Sequence, residues 1–252
     1  MPDFLQRHLN ALCLRYQRQI AFVRARLAPQ SYLGLQLTLG AVALICASWL
    51  FGSIAEDVVT GDALTMVDVR LAQWFHAHAT ASLTSLMFAV TDLHGPVGIT
   101  IMGLMMAAWL AWRRNWFGLV CLAAVLPLGM VTNSLMKYAF QRARPSFEVP
   151  LLVLSSYSFP SGHVAAATLL YGMLVVLVCW LTPAWRWRAL AVMGVGLMVV
   201  LVAVSRMYLG VHYLSDVLAA FAEGVAWLAL CLTAVNTFRN RMGGVGQTAG
   251  PC

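Results

Sequence analysis

Charged residues are scarce in this sequence. Of its 252 residues only 10% are Asp, Glu, Lys or Arg, and 61% are hydrophobic. Lys137 is the single lysine. Soluble globular domains carry about 25% charged residues, so this composition excludes that class and predicts a membrane protein.

Cysteine and histidine spacings typical of structural metal sites are also missing. The six cysteines contain no CxxC pair and no metal-ligand spacing, so no metal site is predicted. We expect them to be apolar thiols, in the membrane spans or on the cytoplasmic side. His76, His78 and His94 have no metal-ligand spacing, and we interpret them as surface histidines or as histidines satisfied by hydrogen bonds.

Six apolar runs are long enough to cross a bilayer, which takes about 20 residues. They are Leu33–Phe51, Pro96–Trp112, Trp116–Met136, Val164–Leu181, Ala189–Val204 and Leu214–Val235. The sequence therefore predicts an all-α, polytopic membrane bundle of six transmembrane helices, with both termini on one side.

Three segments outside the spans complete the predicted organisation. Residues 1–30 form an apolar stripe beside arginines, which predicts an amphipathic arm on the cytoplasmic leaflet. Residues 57–93 have helical stripes but are too polar to cross, so we expect two interfacial helices there. The six-span domain is predicted over residues 31–236 and a cytoplasmic tail over residues 237–252.

The basic residues indicate the orientation, because cytoplasmic loops carry the excess of Lys and Arg. Eleven of the 16 lie on the side of the termini: Arg7, Arg15, Arg18, Arg24, Arg26, Arg113, Arg114, Arg186, Arg188, Arg239 and Arg241. That side is predicted to be cytoplasmic. The net charge of +7 then reflects topology, and no nucleic-acid partner is expected.

Three polar segments fall at the opposite end of the predicted bundle, where we expect them to meet. They are KYAFQRARP (137–145), PSGH (160–163) and SRMYLGVHYLSD (205–216). Lys137 and Arg144 are seven residues apart, as on one helical face, although Pro145 disfavours helix at Arg144. PSGH begins the fourth span, where free N–H groups and the helix dipole favour an anion.

The residue types in these segments suggest phosphate chemistry. Lys137, Arg144 and Arg206, together with a helix N-terminus, form a set of groups that binds phosphate oxygens. His212 lies one turn before Asp216, which can fix one ring nitrogen and leave the other free to attack phosphorus. His163 can then protonate the leaving oxygen.

The order and spacing of these residues resemble the type 2 phosphatidic acid phosphatase family, integral-membrane lipid phosphate phosphatases whose pocket design is shared with vanadium haloperoxidases. Six residues separate Lys137 from Arg144 and Pro145, PSGH follows, and Ser205-Arg206 precedes His212 and Asp216 at the family's spacing. The three motifs extend over residues 137–216.

The resemblance implies a phosphohistidine mechanism that uses neither metal nor cofactor. His212 would be the nucleophile, Asp216 its orienting partner and His163 the general acid. The phosphate would be held by Lys137, Arg144, Ser161, Gly162, Ser205 and Arg206. No acidic cluster that would hold Mg²⁺ accompanies them.

The expected activity is hydrolysis of a lipid phosphate or pyrophosphate on the periplasmic face of a bacterial inner membrane. Undecaprenyl pyrophosphate is the first candidate substrate. Phosphatidylglycerol phosphate, phosphatidic acid and the 1-phosphate of lipid A are the others. A lipid phosphotransferase and, outside enzymes, a lipid transporter are the alternatives, and the sequence leaves the oligomeric state open.

Glu223 has no role in these motifs. It lies seven residues after Asp216, on the same helical face and about two turns deeper in the predicted span. We predict that it is buried inside the bundle, protonated and bonded to a neighbour such as Asn133, one turn deeper than Lys137.

The predicted orientation is testable with reporter fusions. A fluorescent protein fused after residue 252 is expected to fluoresce in bacterial cells, because the arginine-rich side remains in the cytoplasm. Alkaline phosphatase fused at the same point is expected to be inactive. An active alkaline phosphatase fusion with a dark fluorescent fusion would reverse the orientation.

Overall fold

The computed structural model of the protein describes residues 16–17 and 35–245. Side chains are described for residues 16–17 and 37–238. The predicted amphipathic arm, apart from Tyr16 and Gln17, and residues 246–252 of the predicted tail lie outside the described residues.

The described secondary structure beyond residue 35 consists of eight helices. They are α1 (Leu35–Thr60), α2 (Ala63–Ala77), α3 (Ala81–Leu93), α4 (Pro96–Trp112), α5 (Trp116–Phe140), α6 (Gly162–Leu181), α7 (Trp185–Tyr208) and α8 (Leu214–Val245). No strand occurs among the described residues. The prediction of an all-α fold is confirmed.

Five of these helices, α1, α5, α6, α7 and α8, are long and apolar enough to cross a membrane. The predicted second span coincides with α4, whose 17 residues extend only about 25 Å. That is less than the roughly 30 Å of a bilayer core. Together α3 and α4 pass the same test as one span bent by 47°, so the count reaches six when this bent pair is one span.

The helix ends differ from the predicted ends of the spans. α1 continues past Phe51 to Thr60, where Gly61, at φ +80°, ends it. A glycine in this left-handed conformation is a common helix stop. α7 begins at Trp185 rather than Ala189, and α8 continues into the predicted tail. Apolar runs mark the membrane core, whereas helices continue until the backbone is interrupted.

The surface of the helices is apolar. Ile45, Leu104, Val131, Met193 and Leu197 are each more than half exposed. Apolar surface of this extent is what a lipid-facing bundle presents. The chain is therefore a multi-span membrane protein.

α6 is the most buried of the five helices that are long enough to cross a membrane. Half of the apolar 18-residue stretch of α6 is buried inside the protein, whereas 11% of the corresponding stretch of α1 is buried. Glycines allow α6 and α8 to approach closely, because a Cβ added at Gly172 would lie 2.3 Å from Leu228 and one at Gly224 would lie 2.8 Å from Thr168.

The contacts divide the chain into two units, of which the first covers residues 44–231. All the site residues described below belong to the first unit. The domain boundaries at residues 30 and 236 stay a prediction.

The bend between α3 and α4 depends on Gly98. A Cβ added there would lie 1.9 Å from the backbone oxygen of Leu93, so the backbone would have to shift. We expect Gly98→Ala to lower the free energy of unfolding by about 1–3 kcal/mol, measured by thermal unfolding in detergent. Gly194→Ala in α7, with open space around it, is the matched control. Equal unfolding midpoints for the two variants would contradict this role of Gly98.

Candidate active site

The three predicted segments meet at one end of α5, α6, α7 and α8. Lys137 is in the last turn of α5, and a Cβ added at Gly162, the first residue of α6, would lie 3.7 Å from Lys137 Cε. The Ser161 N–H donates to the carbonyl of Asp216, in the first turn of α8, at 3.1 Å. The expected meeting of the segments is confirmed.

Arg144 reaches this place from a loop and not from a helix. α5 ends at Phe140, and Gln141 adopts a left-handed conformation at φ 45°, so the interpretation of Lys137 and Arg144 as two turns on one helical face is wrong. The left-handed residue turns the chain away from the helix axis. The guanidinium then donates to the carbonyls of Ser156 (2.7 Å), Tyr157 (3.1 Å) and Val211 (2.5 Å).

The ring of His212 faces a carboxylate on one side and a guanidinium on the other. Nδ1 lies 3.4 Å from Oδ2 of Asp216, and Nε2 lies 3.3 Å from Nη1 of Arg144. Because a guanidinium only donates hydrogen bonds, Nε2 is the acceptor and the proton of the neutral ring is assigned to Nδ1. The lone pair of Nε2 therefore points towards the cationic side of the site.

Burial keeps His212 in this neutral form. The residue is 2% exposed. Burial lowers the pKa of His212 to about 3, with the charges of Arg144 and Arg206 acting in the same direction and Asp216 opposing them. At neutral pH Nε2 therefore carries a lone pair and no proton, as a nucleophile requires.

Asp216 has no exposed surface and is surrounded by donors. Its Oδ1 accepts from Nη1 of Arg142 at 2.6 Å. Its Oδ2 accepts from the Tyr213 N–H at 2.8 Å and from the Ser158 hydroxyl, which also lies 3.5 Å from Nδ1 of His212. These bonds fix the carboxylate beside the imidazole.

Two predicted phosphate ligands carry buried polar atoms without a hydrogen-bond partner. They are Oγ of Ser161, which is fully buried, and Nε of Arg206, whose residue is 1% exposed. Nη1 of Arg206 donates to Oγ1 of Thr91 in α3 at 2.7 Å. Buried donors without a partner, of which Ser161 is at the N-terminus of α6 and Arg206 in the last turn of α7, fit an oxyanion.

The remaining predicted ligands differ in what they already contact. Nζ of Lys137 donates to the carbonyl of Tyr157 at 3.0 Å. The hydroxyl of Ser205 donates to the carbonyl of Val202 at 2.7 Å, so its hydrogen is committed within α7. Its part in phosphate binding stays a prediction.

His163 is half-buried in the first turn of α6. Its Nε2 would lie 3.8 Å from a Cβ added at Gly95, which places the ring against the bend between α3 and α4. The charges of Arg206 and Arg144, and the ring of His212, are close enough to act on it electrostatically. The ring is thus on the same side of the site as the cations.

Sequence reasoning missed several residues that surround His212. Arg142 lies within the first quoted segment and Ser158 lies two residues before PSGH, but neither has an assigned role there. Asp68, in α2, contacts Arg142 at 2.8 Å and is 147 residues away from its other partner, Ser215. A signal for Asp68 existed, because it falls on the apolar stripe of α2, four residues after Leu64 and three before Leu71.

Two predictions about polar residues are confirmed. Nδ2 of Asn133 donates to Oε2 of Glu223 at 2.8 Å, and both residues are buried. His94 is satisfied, with Nδ1 at 2.7 Å from the carbonyl of Val90 and Nε2 at 2.7 Å from the hydroxyl of Tyr171. The described residues contain no group of three or more His, Cys, Asp or Glu with metal-binding geometry, and metal independence stays a prediction.

A family comparison agrees with this geometry. The family model of the PAP2 superfamily matches residues 118–240, a range that contains all nine predicted site residues. Over this range, just under half of the chain, the sequence is similar to the PAP2 superfamily.

Two curated relatives are similar to part of this chain. Phosphatidylglycerophosphatase B of Bacillus subtilis is 37% identical over 115 residues, which are 45% of this chain and 56% of the relative. Undecaprenyl-diphosphatase of Sulfolobus acidocaldarius is 32% identical over 107 residues, 40% of this chain and 47% of the relative. The chain thus spans about half the length of each curated relative that it matches.

Two crystal structures share the fold. The transmembrane PAP2-type phosphatidylglycerolphosphate phosphatase from Bacillus subtilis has a TM-score of 0.66 and 28% identity, with 75% of this chain and 94% of that chain covered. LpxE of Aquifex aeolicus has a TM-score of 0.54 and 20% identity, with 66% and 94% covered. The recognition of the family from its three motifs is confirmed.

The lowered pKa of His212 predicts a pH dependence of stability. The unfolded chain protonates this residue near pH 6.5 and the folded protein only near pH 3, so its contribution is complete above pH 6.5 and is lost as the pH falls towards 3. The slope is at most about 1.4 kcal/mol per pH unit. We expect thermal unfolding between pH 6.5 and 4 to show a shallower loss of stability in His212→Asn than in the unmodified protein.

The control for this measurement is His78→Asn, at an exposed histidine of the segment between α2 and α3. It is expected to keep the pH dependence of the unmodified protein. Parallel curves for the unmodified protein and His212→Asn would show that this histidine does not titrate as described.

Proposed function

We propose that this PAP2 chain is a membrane phosphatase that hydrolyses a lipid phosphate through a phosphohistidine on His212. The observation that carries the proposal is the orientation of the ring, with Nδ1 towards Asp216 and the Nε2 lone pair towards Arg144. A nucleophile, its orienting carboxylate and a phosphate-binding cation are thus aligned through one imidazole.

In the first step, Nε2 of His212 attacks phosphorus and a P–N bond forms. The bond from phosphorus to the lipid oxygen breaks, and protonated His163 gives its proton to that oxygen, so the lipid alcohol leaves. The imidazolium that forms on His212 is stabilised by Asp216 through Nδ1–H.

In the second step, water attacks the phosphohistidine. His163, now neutral, takes a proton from the water as the P–O bond forms and the P–N bond breaks. Inorganic phosphate leaves, and both histidines return to their starting states. If a lipid hydroxyl replaced water in this step, the outcome would be phosphotransfer.

The phosphate itself is held by three cations and a helix N-terminus. Lys137, Arg144 and Arg206 supply positive charge, and Ser161 and Gly162 begin α6, whose first N–H groups favour an anion. As the transition state gains charge on its oxygens, these fixed groups stabilise it.

A phosphate monoester of a glycerophospholipid, such as phosphatidylglycerol phosphate, is the substrate class we propose first. A fourth cation near the site, Arg142, is bound to the carboxylates of Asp68 and Asp216, so three cations serve one phosphate group. The curated relative and the crystal structure from Bacillus subtilis support the same class. Undecaprenyl pyrophosphate, which brings a second phosphate group, is the second candidate.

The charge distribution along the sequence supports a site that faces the periplasm. The site end of the bundle is opposite the loops that carry Arg113, Arg114, Arg186 and Arg188, and such loops stay in the cytoplasm. The termini would then be cytoplasmic.

The test is phosphate release by the purified full-length protein in detergent with EDTA. Phosphatidylglycerol phosphate, phosphatidic acid, undecaprenyl pyrophosphate and lipid A are compared as substrates. We expect fastest release from a glycerophospholipid monoester, and His212→Ala to lower the rate by roughly 10³-fold or more, because a lost nucleophile removes the covalent route. His78→Ala, at an exposed histidine, is the matched control.

Other outcomes identify the alternatives. Turnover that EDTA abolishes and Mg²⁺ restores would contradict the metal-free mechanism. Transfer of phosphate to a lipid hydroxyl without free phosphate would indicate a phosphotransferase. Lipid movement across vesicles that survives His212→Ala, with no phosphate released, would indicate a transporter.

A further inference from the structure

A buried carboxylate from outside the PAP2 match reaches the site. Asp68 lies in α2, fifty residues before the matched range begins, and is 1% exposed. Its Oδ1 accepts from the Ser215 N–H at 2.9 Å, and its Oδ2 accepts from the Ser215 hydroxyl at 2.5 Å and from Nη2 of Arg142 at 2.8 Å. Asp68 thus holds the first turn of α8 and the guanidinium of Arg142 together.

Arg142 connects this carboxylate to Asp216. Its Nη1 donates to Oδ1 of Asp216 and to the Ser215 hydroxyl, each at 2.6 Å. Its guanidinium also lies over the ring of Tyr213, 4.4 Å from the ring centre. Two carboxylates, one hydroxyl and one aromatic face therefore leave the guanidinium little freedom to turn.

The bond from Arg142 determines which oxygen of Asp216 faces the histidine. With Oδ1 held by Arg142, Oδ2 is directed to the Tyr213 N–H, the Ser158 hydroxyl and Nδ1 of His212. A carboxylate held at one oxygen cannot rotate away from the ring. The orientation of His212 therefore depends on Arg142, and that of Arg142 depends on Asp68.

We propose that Asp68 and Arg142 are positioning residues for the phosphorylated histidine, acting through Asp216. This inference rests on the proposed phosphatase function. Neither residue touches the phosphate: Arg142 is bound to two carboxylates, and Asp68 is bound to Arg142 and Ser215. Their effect is on the geometry and the charge of the pair formed by His212 and Asp216.

The charge of Arg142 also sets how strongly Asp216 attracts a proton on His212. The charged and titratable groups that face His212 are Asp216 of α8, Arg144 of the loop, Arg206 of α7 and His163 of α6. Three of these favour the neutral ring, and Asp216 alone favours the protonated one. Arg142, paired with Asp216, weakens that one opposing contribution.

The test compares Arg142→Gln, Arg142→Lys and Asp68→Asn, in full-length protein with a substrate that the unmodified enzyme hydrolyses and His212→Ala does not. We expect kcat to fall about 10- to 100-fold in each variant, the cost of a misplaced catalytic group, with KM changed less than about 2-fold because the phosphate ligands remain. Acid-quenched single turnovers should show slower formation of the phosphohistidine.

The pH profile of kcat/KM distinguishes an effect on the charge of the pair formed by His212 and Asp216 from an effect on its geometry. Arg142→Gln removes the cation beside Asp216, so protonation of His212 becomes easier and the acid limb of kcat/KM should move to higher pH. Asp68→Asn removes one of the two carboxylates paired with Arg142, so more of the positive charge of Arg142 acts on Asp216. Protonation of His212 then becomes harder, and the acid limb of kcat/KM should move to lower pH. Arg142→Lys keeps the charge and loses the two-pronged contact, so kcat should fall without a shift of the limb.

The controls are Arg70→Gln and Asp62→Asn, at exposed residues in and directly before the same helix α2. They are expected to leave kcat and the acid limb unchanged. A loss of thermal stability in the site variants, with kcat per folded molecule and the acid limb unchanged, would overturn the proposal and leave a purely structural role. If the unmodified protein released no phosphate, the proposed function would fail before these variants were compared.

Discussion

The carboxylate of Asp216 has no exposed surface, and this end of the bundle is arranged around the cost of burying its charge. A buried ion loses several kcal/mol of hydration, which only close and well-oriented partners offset. Arg142 supplies the opposite charge, and Ser158 and Tyr213 supply hydrogen bonds to the other oxygen. Because these partners come from the loop before α6 and from the start of α8, satisfying the charge also fixes the loop on the helix.

Like charges impose a second constraint. Lys137, Arg144 and Arg206 lie close enough to act on one another electrostatically, and such a group is repulsive in the absence of an anion. Backbone carbonyls hold Lys137 and Arg144 in place, and Thr91 holds Arg206. In the proposed mechanism, a phosphate that enters this arrangement would remove the repulsion, and the cations held in place around it would stabilise the charge of the transition state.

Much of this arrangement was predictable from the sequence, since apolar runs and motif spacing report on local structure. The spans placed Lys137, Gly162, Arg206 and His212 at one end of the bundle, and helical periodicity placed Glu223 against Asn133. The rest depended on tertiary structure. The left-handed Gln141 that takes Arg144 off the helix follows no sequence rule, and the pairing of Asp68 with Arg142 joins residues 74 apart.

The two buried acids of α8 have different partners: a cation for Asp216 and a neutral amide for Glu223. Asp216 forms an ion pair with Arg142, so the charge of Arg142 is not available to a phosphate. Glu223, two turns deeper, accepts at Oε2 from the neutral amide of Asn133, whereas its Oε1 has no hydrogen-bond partner among the described residues. Lys137 donates to the carbonyl of Tyr157 rather than to a carboxylate. Arg142 therefore neutralises the carboxylate of Asp216. In the proposed mechanism, Lys137, Arg144 and Arg206 keep their charge for the phosphate of the substrate.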